Sequence, residues 1–198
     1  FCDTKLQKTL IELRKKLSSQ HKIPPFVIFQ DKMLESMCIS YPTNIEELSC
    51  INGVSIGKAE KYGNLFLTEI NSYVLKNNIQ KKQEFKIKSN VNKSSLKIFI
   101  IQQIDKKVLF EDIGNMKNMS SVEITEEIEK IVESGTKVNI DYQVNNTLSK
   151  DEQEELYDYF LNEAKDDSII SAQEYFDNDY EESEIKIMRI KFLSKLAN

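Results

Sequence analysis

The sequence predicts an all-α fold, on three observations. Apolar residues recur at three- and four-residue spacing along most of the chain, as in Leu6, Leu10, Leu13 and Leu17, or Ile124, Ile128, Ile131 and Val132. Ser or Thr followed three residues later by Glu, the pattern of a helix-opening capping box, occurs at Thr43 with Glu46, Ser120 with Glu123, Ser149 with Glu152 and Ser171 with Glu174. Strand-like alternation stands out only at Val138, Ile140 and Tyr142.

Taken in order, residues 3–20 form a helix whose leucines make one apolar stripe, with Lys8, Arg14, Lys15 and Lys16 mostly off it. Pro24 and Pro25 stop that helix. Asp31 is placed to cap a second helix reaching about Ser40, and Thr43 opens a short third. After a Gly53–Gly57 turn, Ile56, Ala59, Tyr62, Phe66, Ile70 and Tyr73 mark the buried face of a helix ending near Leu75. Residues 1–76 thus read as one compact helical domain. Residues 77–94 are polar and basic with little periodicity, and read as a linker.

Residues 95–198 read as a second helical lobe. Leu96, Phe99 and Ile100 begin a helix, Leu109 and Ile113 mark a short one, and the helix opened by Ser120 completes helix-turn-helix spacing before Gly135 closes it. Ser149 and Ser171 open two more, and Ile185, Met188, Phe192 and Leu196 supply the face of the last.

Composition narrows the function classes. The chain has 198 residues, 40% of them apolar and 30% charged, which fits globular structure and argues against disorder throughout. The longest apolar runs, Phe26–Phe29 and Ile98–Ile101, are four residues long, and no signal-peptide core opens the chain, so a cytoplasmic location and no membrane partner are expected. Three cysteines without a C-x-x-C pair, and a single His21, support neither a disulfide scaffold nor a zinc site. A first residue of Phe1 leads us to expect a fragment of a longer protein. Residues 1–100 carry 16 Lys and Arg against 9 Asp and Glu, whereas residues 101–198 carry 11 against 23. Two halves of opposite sign imply different partners.

The Gly53-Val54-Ser55-Ile56-Gly57-Lys58 turn leaves backbone N–H groups at a helix N-terminus, a seat for a phosphate. It is not a P-loop, which has four residues between its glycines and Ser or Thr after the Lys; here there are three, and Ala59 follows. A second reading stays open, in which Gly53 and Gly57 only let two helices meet closely and Gly63 permits packing against the first helix. A set of cations, Lys8, Arg14, Lys15, Lys16, Lys22, Lys32, Lys58 and Lys61, accompanies Phe26, which follows the paired prolines. Phosphate-tracking cations beside an exposed ring are the means by which single strands are held; the competing reading is a solvated face with Phe26 plugging the core.

In the second lobe the third helix holds Glu123, Glu126, Glu127, Glu129 and Glu133 against Lys130, a surface that repels phosphate. That lobe is therefore expected to contact protein instead of DNA. Asp177, Asp179, Glu181, Glu182 and Glu184 lack the spacing and central Gly of an EF-hand loop and read as a solvated helix start. No nucleophile, general base or metal site emerges.

The runs Leu13-Arg14-Lys15-Lys16-Leu17, Ile23-Pro24-Pro25-Phe26-Val27-Ile28-Phe29-Gln30-Asp31, Thr43-Asn44-Ile45-Glu46-Glu47-Leu48 and Ile51-Asn52-Gly53-Val54 with Lys61-Tyr62-Gly63 resemble the helicase-and-RNase-D C-terminal (HRDC) domain. The remainder, ending in Lys186-Ile187-Met188-Arg189-Ile190-Lys191-Phe192-Leu193-Ser194, is similar to the helix-turn-helix, winged-helix-like extension of some bacterial RecQ-type DNA helicases. The resemblance implies a parent that unwinds DNA 3' to 5' in recombination and repair, with its ATP and Mg held by motor domains upstream and no cofactor in this chain. It implies single-stranded or branched DNA as a partner of Lys8, Arg14, Lys15, Lys16, Lys22, Phe26, Lys32, Gly53, Gly57, Lys58 and Lys61. The motor domains of the parent, and other repair proteins meeting the acidic lobe, are the further partners. In that family a Tyr commonly follows the prolines; Phe26 keeps the ring and loses the hydroxyl. Two alternatives remain: an RNase D-like RNA-processing exonuclease as parent, and a protein-interaction module without DNA contact.

Overall fold

Residues 3–79 and 91–196 are described by the structure, a computed structural model. They are all-α, with twelve α-helices and one π-helical turn and no strand among the described residues. The chain divides into two compact units, Phe1–Ser89 and Asn90–Asn198. Of the expected linker, residues 80–90 lie outside the described residues; residues 77–79 finish the last turn of the first unit, where Ile79 N donates to Val74 O at 3.1 Å, and the next helix begins at Val91.

In the first unit Asp3 opens α1 (Thr4–His21) by accepting from the backbone of Lys5 and Leu6, which satisfies two orphan helix donors. The helix ends at Lys22, whose left-handed φ of 54° turns the chain while its N–H donates to Ser18 O. Pro25 does not merely block a helix: it starts the one-turn α2 (Pro25–Ile28), in the first-turn position where a missing N–H costs nothing. Then come α3 (Asp31–Ser40), α4 (Ile45–Ser49) and α5 (Ile56–Lys76). Leu10, Phe29, Met37, Leu48, Phe66 and Ile70 are fully buried between them, with Phe29 and Phe66 edge to face at 4.9 Å. Each such side chain contributes roughly 1.5–3 kcal/mol on burial.

Four expectations need correction here. Gln30, not Asp31, precedes α3, and makes no side-chain cap. The cap of α4 is Asn44, which accepts from Glu47 N, while Glu47 returns to the backbone and hydroxyl of Thr43; the box is shifted by one residue. Ile56 is 62% exposed because it occupies the free first turn of α5. Gly63 lets α5 approach α4 instead of α1: a Cβ there would stand 2.5 Å from Leu48 Cδ2.

The second unit holds α6 (Val91–Asp105), α7 (Phe110–Lys117), α8 (Ser121–Glu133), α9 (Asp141–Thr147) and α10 (Lys150–Asp158), which runs into the π-turn Tyr159–Glu163, followed by α11 (Ile169–Tyr175) and α12 (Glu182–Leu196). A left-handed Asn118 joins α7 to α8, which opens on the expected Ser120–Glu123 box and closes at Gly135, φ 89°. α12 packs on α8, α9, α10 and α11. It is accordingly buried around much of its girth, at Ile185, Ile187, Met188, Ile190, Phe192 and Leu193. Its Arg189 pairs with Glu129 of α8 and donates to Asp167 O at 2.6 Å.

The alternating run at Val138, Ile140 and Tyr142 is not a strand. No strand among the described residues offers a ladder; instead Val138 N donates to Ser194 Oγ, which in turn donates to Val138 O, and Tyr142 lies in α9 with its hydroxyl on Val108 O at 2.7 Å. Ser149 caps α10 as expected. α11, however, is capped by Ser168, which accepts from Ser171 N, so Ser171 is inside the helix it was expected to open.

Candidate nucleic-acid interface

The apolar stripe of α1 turns inward and leaves Lys8, Lys15 and Lys16 exposed along its outer side, leading to exposed His21 and Lys22. There α5 comes alongside. The His21 ring meets Tyr62 edge to face at 5.6 Å, and the ammonium of Lys61 stands 5.1 Å from the same Tyr62 ring. The fold thereby brings Lys22 and Lys61, far apart in sequence, to one end of the α1 ridge. Lys32, at the start of α3, is exposed too.

Three of the expected contact residues are inside the unit. Arg14 is buried because it continues the Leu6–Leu10 stripe; its Nη1 donates to Phe29 O at 2.6 Å and its Nη2 lies 2.6 Å from Asp31 Oδ1. Lys58 is 7% exposed and is not free. Phe26 is 4% exposed. The expectation of an outward ring there is corrected: the α2 turn points Phe26, Val27 and Ile28 inward together.

The two glycines of the turn differ. Gly53 has φ 85°, and a Cβ on it would stand 2.6 Å from Met33 Cε, so its role is conformational and steric. Around Gly57 a Cβ would meet nothing within 4 Å. Close helix packing does not account for it. Ser55 Oγ accepts from Lys58 N at 3.1 Å, which leaves the N–H groups of Ile56 and Gly57 at the open end of α5.

His21 is the residue that sequence reasoning set aside. Its signal was weak because Tyr62, the group that orients it, is on another helix.

Two known family models match the chain, one within each compact unit. Residues 3–70 match the HRDC domain, and residues 94–144 match the RecQ-1-like helix-turn-helix domain. The two matches in this order support a RecQ-type C-terminal region, HRDC followed by helix-turn-helix. Over 61 residues, 31% of this chain and 10% of the relative, it is 44% identical to the ATP-dependent DNA helicase RecQ of Bacillus subtilis (strain 168). Over the same length and shares it is 36% identical to the ATP-dependent DNA helicase RecQ of Haemophilus influenzae (strain ATCC 51907 / DSM 11121 / KW20 / Rd). The match thus spans about a tenth of the length of these curated relatives. The RecQ helix-turn-helix match ends at residue 144, whereas the compact unit continues through α12. No described helix is long and apolar enough to cross a membrane.

Proposed function

We propose that this chain is an accessory DNA-binding and docking region of a RecQ-like ATP-dependent 3'-to-5' DNA helicase acting in recombination and repair. Its HRDC unit holds single-stranded or branched DNA along Lys8, Lys15, Lys16 and Lys22, with Lys61, Lys32 and the open backbone at Gly57 beside them. Turnover belongs to motor domains of the parent, which would hold ATP and Mg; this chain raises the effective concentration of DNA near them. Other repair proteins would meet the acidic face of α8.

The observation that carries this reading is the exposed lysine ridge of α1, extended by Lys61 through the His21–Tyr62 contact. A labelled single-stranded oligonucleotide titrated with the full chain across a salt series tests it. Weak binding that falls steeply with salt is expected, with a slope reaching about −4 if all six lysines neutralise phosphates at roughly 0.7 each. Binding that ignores salt contradicts it.

A further inference from the structure

Charge is unevenly spread in the second unit. Residues 95–120 carry 4 Lys against 3 Asp and Glu, residues 121–144 carry 2 against 6, and residues 145–198 carry 6 Lys and Arg against 14. The negative sign of the lobe therefore resides in α8 and the helices after it, not in α6 and α7.

Three of these lysines follow or close a helix: Lys106 and Lys107 come just after α6, and Lys117 ends α7. Lys117, in the last turn of α7, reaches across to α6 and stands 4.2 Å from the centroid of half-buried Phe99. Lys106 follows Phe99 by seven residues and comes directly after α6 ends at Asp105. Exposed Gln102 stands between them, and Lys107 follows with a left-handed φ of 59°. Lys106, Lys107 and Lys117 are exposed and form no ion pair among the described residues. A lysine near a helix C-terminus is favoured by the macrodipole alone, but that does not place the Lys117 ammonium over a ring of the neighbouring helix. The outer side of α8 is the reverse case: Glu123 and Glu126 are exposed, and Lys130 is already held by Glu127 at 2.6 Å.

We infer that the corner of α6 and α7, and not α8, is where the helix-turn-helix domain meets nucleic acid. Lys117, Lys106 and Lys107 grip the phosphodiester backbone of a single strand. The contact is independent of the α1 ridge.

The test is an amide-resolved NMR titration of the full chain with a short oligothymidylate at low salt, repeated on a Lys106→Gln, Lys107→Gln, Lys117→Met variant that keeps the stem over Phe99. Shifts are expected at Phe99, Lys106, Lys107 and Lys117, and these should disappear in the variant while its other resonances stay in place. The salt slope should fall by up to about 2, at roughly 0.7 per lost phosphate contact. Shifts confined to residues 4–76 overturn this inference and leave the proposed role of the HRDC unit standing. Shifts at α6 and α7 with none at α1 do the opposite. Shifts centred on α8 overturn it in favour of conventional groove reading, and no shifts anywhere overturn both.

Discussion

Arg14 of α1 spans the start of α3: one guanidinium nitrogen lies 2.6 Å from Asp31 Oδ1, and another donates to the carbonyl of Phe29 at 2.6 Å. Asp31 is largely in water, so the ion pair itself adds little; the bond to the buried carbonyl matters more. Arg14→Met should destabilise the first unit by about 1–3 kcal/mol, the cost of leaving that acceptor unpaired. Its salt-corrected DNA affinity should remain that of the parent chain while it is folded. Urea unfolding alongside anisotropy separates the two, and a DNA defect without a stability change would return Arg14 to the interface.

Phe26→Ala should act as a core deletion. With the ring 4% exposed, truncation should cost about 3–5 kcal/mol and lower the urea midpoint of the first unit. A variant of unchanged midpoint that binds DNA more weakly would show that the ring leaves the core to stack on a base.

These two residues also mark what the sequence can disclose. Spacing located the helices because amphipathic periodicity is a local property, and Ser120 and Ser149 announced their capping boxes for the same reason. Burial of individual charged residues was only half legible: Arg14, unlike Lys15 and Lys16, falls four residues after Leu10 on the inward stripe, but the carbonyl that satisfies it there belongs to Phe29, fifteen residues later. The strand expected at Val138 failed similarly, since alternation states a preference while a strand requires a partner, and here Ser194 of a distant helix satisfies that backbone. The convergence of Lys22, His21 and Lys61 is tertiary as well.

Lys15→Glu with Lys16→Glu should weaken binding to every single-stranded sequence about equally, because phosphate contacts carry no base information. The salt slope should fall by about 1.4 if each lysine neutralises one phosphate. Sequence-dependent losses in a panel of oligonucleotides would contradict a backbone-tracking ridge.

Tyr73 donates to Asp3 Oδ2 at 2.6 Å, tying the last turns of α5 to the cap of α1. That bond holds the Asp3 carboxyl below its ordinary 3.8 and pushes the Tyr73 phenol up to about 12. For Asp3 the folded value is depressed, so its contribution is present above the unfolded value of about 3.9 and is lost as pH falls below it. For Tyr73 the neutral form is favoured by folding, so its contribution is complete below about 10 and is lost as pH rises from 10 to 12. Tyr73→Phe should lower stability at neutral pH and flatten both limbs. Unfolding midpoints measured across pH check this, and unchanged limbs in the variant would remove the pair as their source.

Gly57 and Gly114 should respond in opposite ways to the same added methyl. A Cβ at Gly114 would run into the backbone oxygen of Met119, in the turn between α7 and α8. Backbone cannot rotate aside as a side chain can, so Gly114→Ala should prise that turn open and cost the second unit about 1–3 kcal/mol, as overpacking does. At Gly57 nothing lies within 4 Å of the same atom, and alanine is the better helix former. Gly57→Ala should leave the unfolding midpoint unchanged or raise it, by up to about 1 kcal/mol. If the open end of α5 is kept bare so that a phosphate can approach its N–H groups, Gly57→Val should reduce single-strand affinity with the fold intact by circular dichroism. Full affinity in a folded Gly57→Val chain would remove the glycine turn from the interface and leave the lysine ridge to act alone.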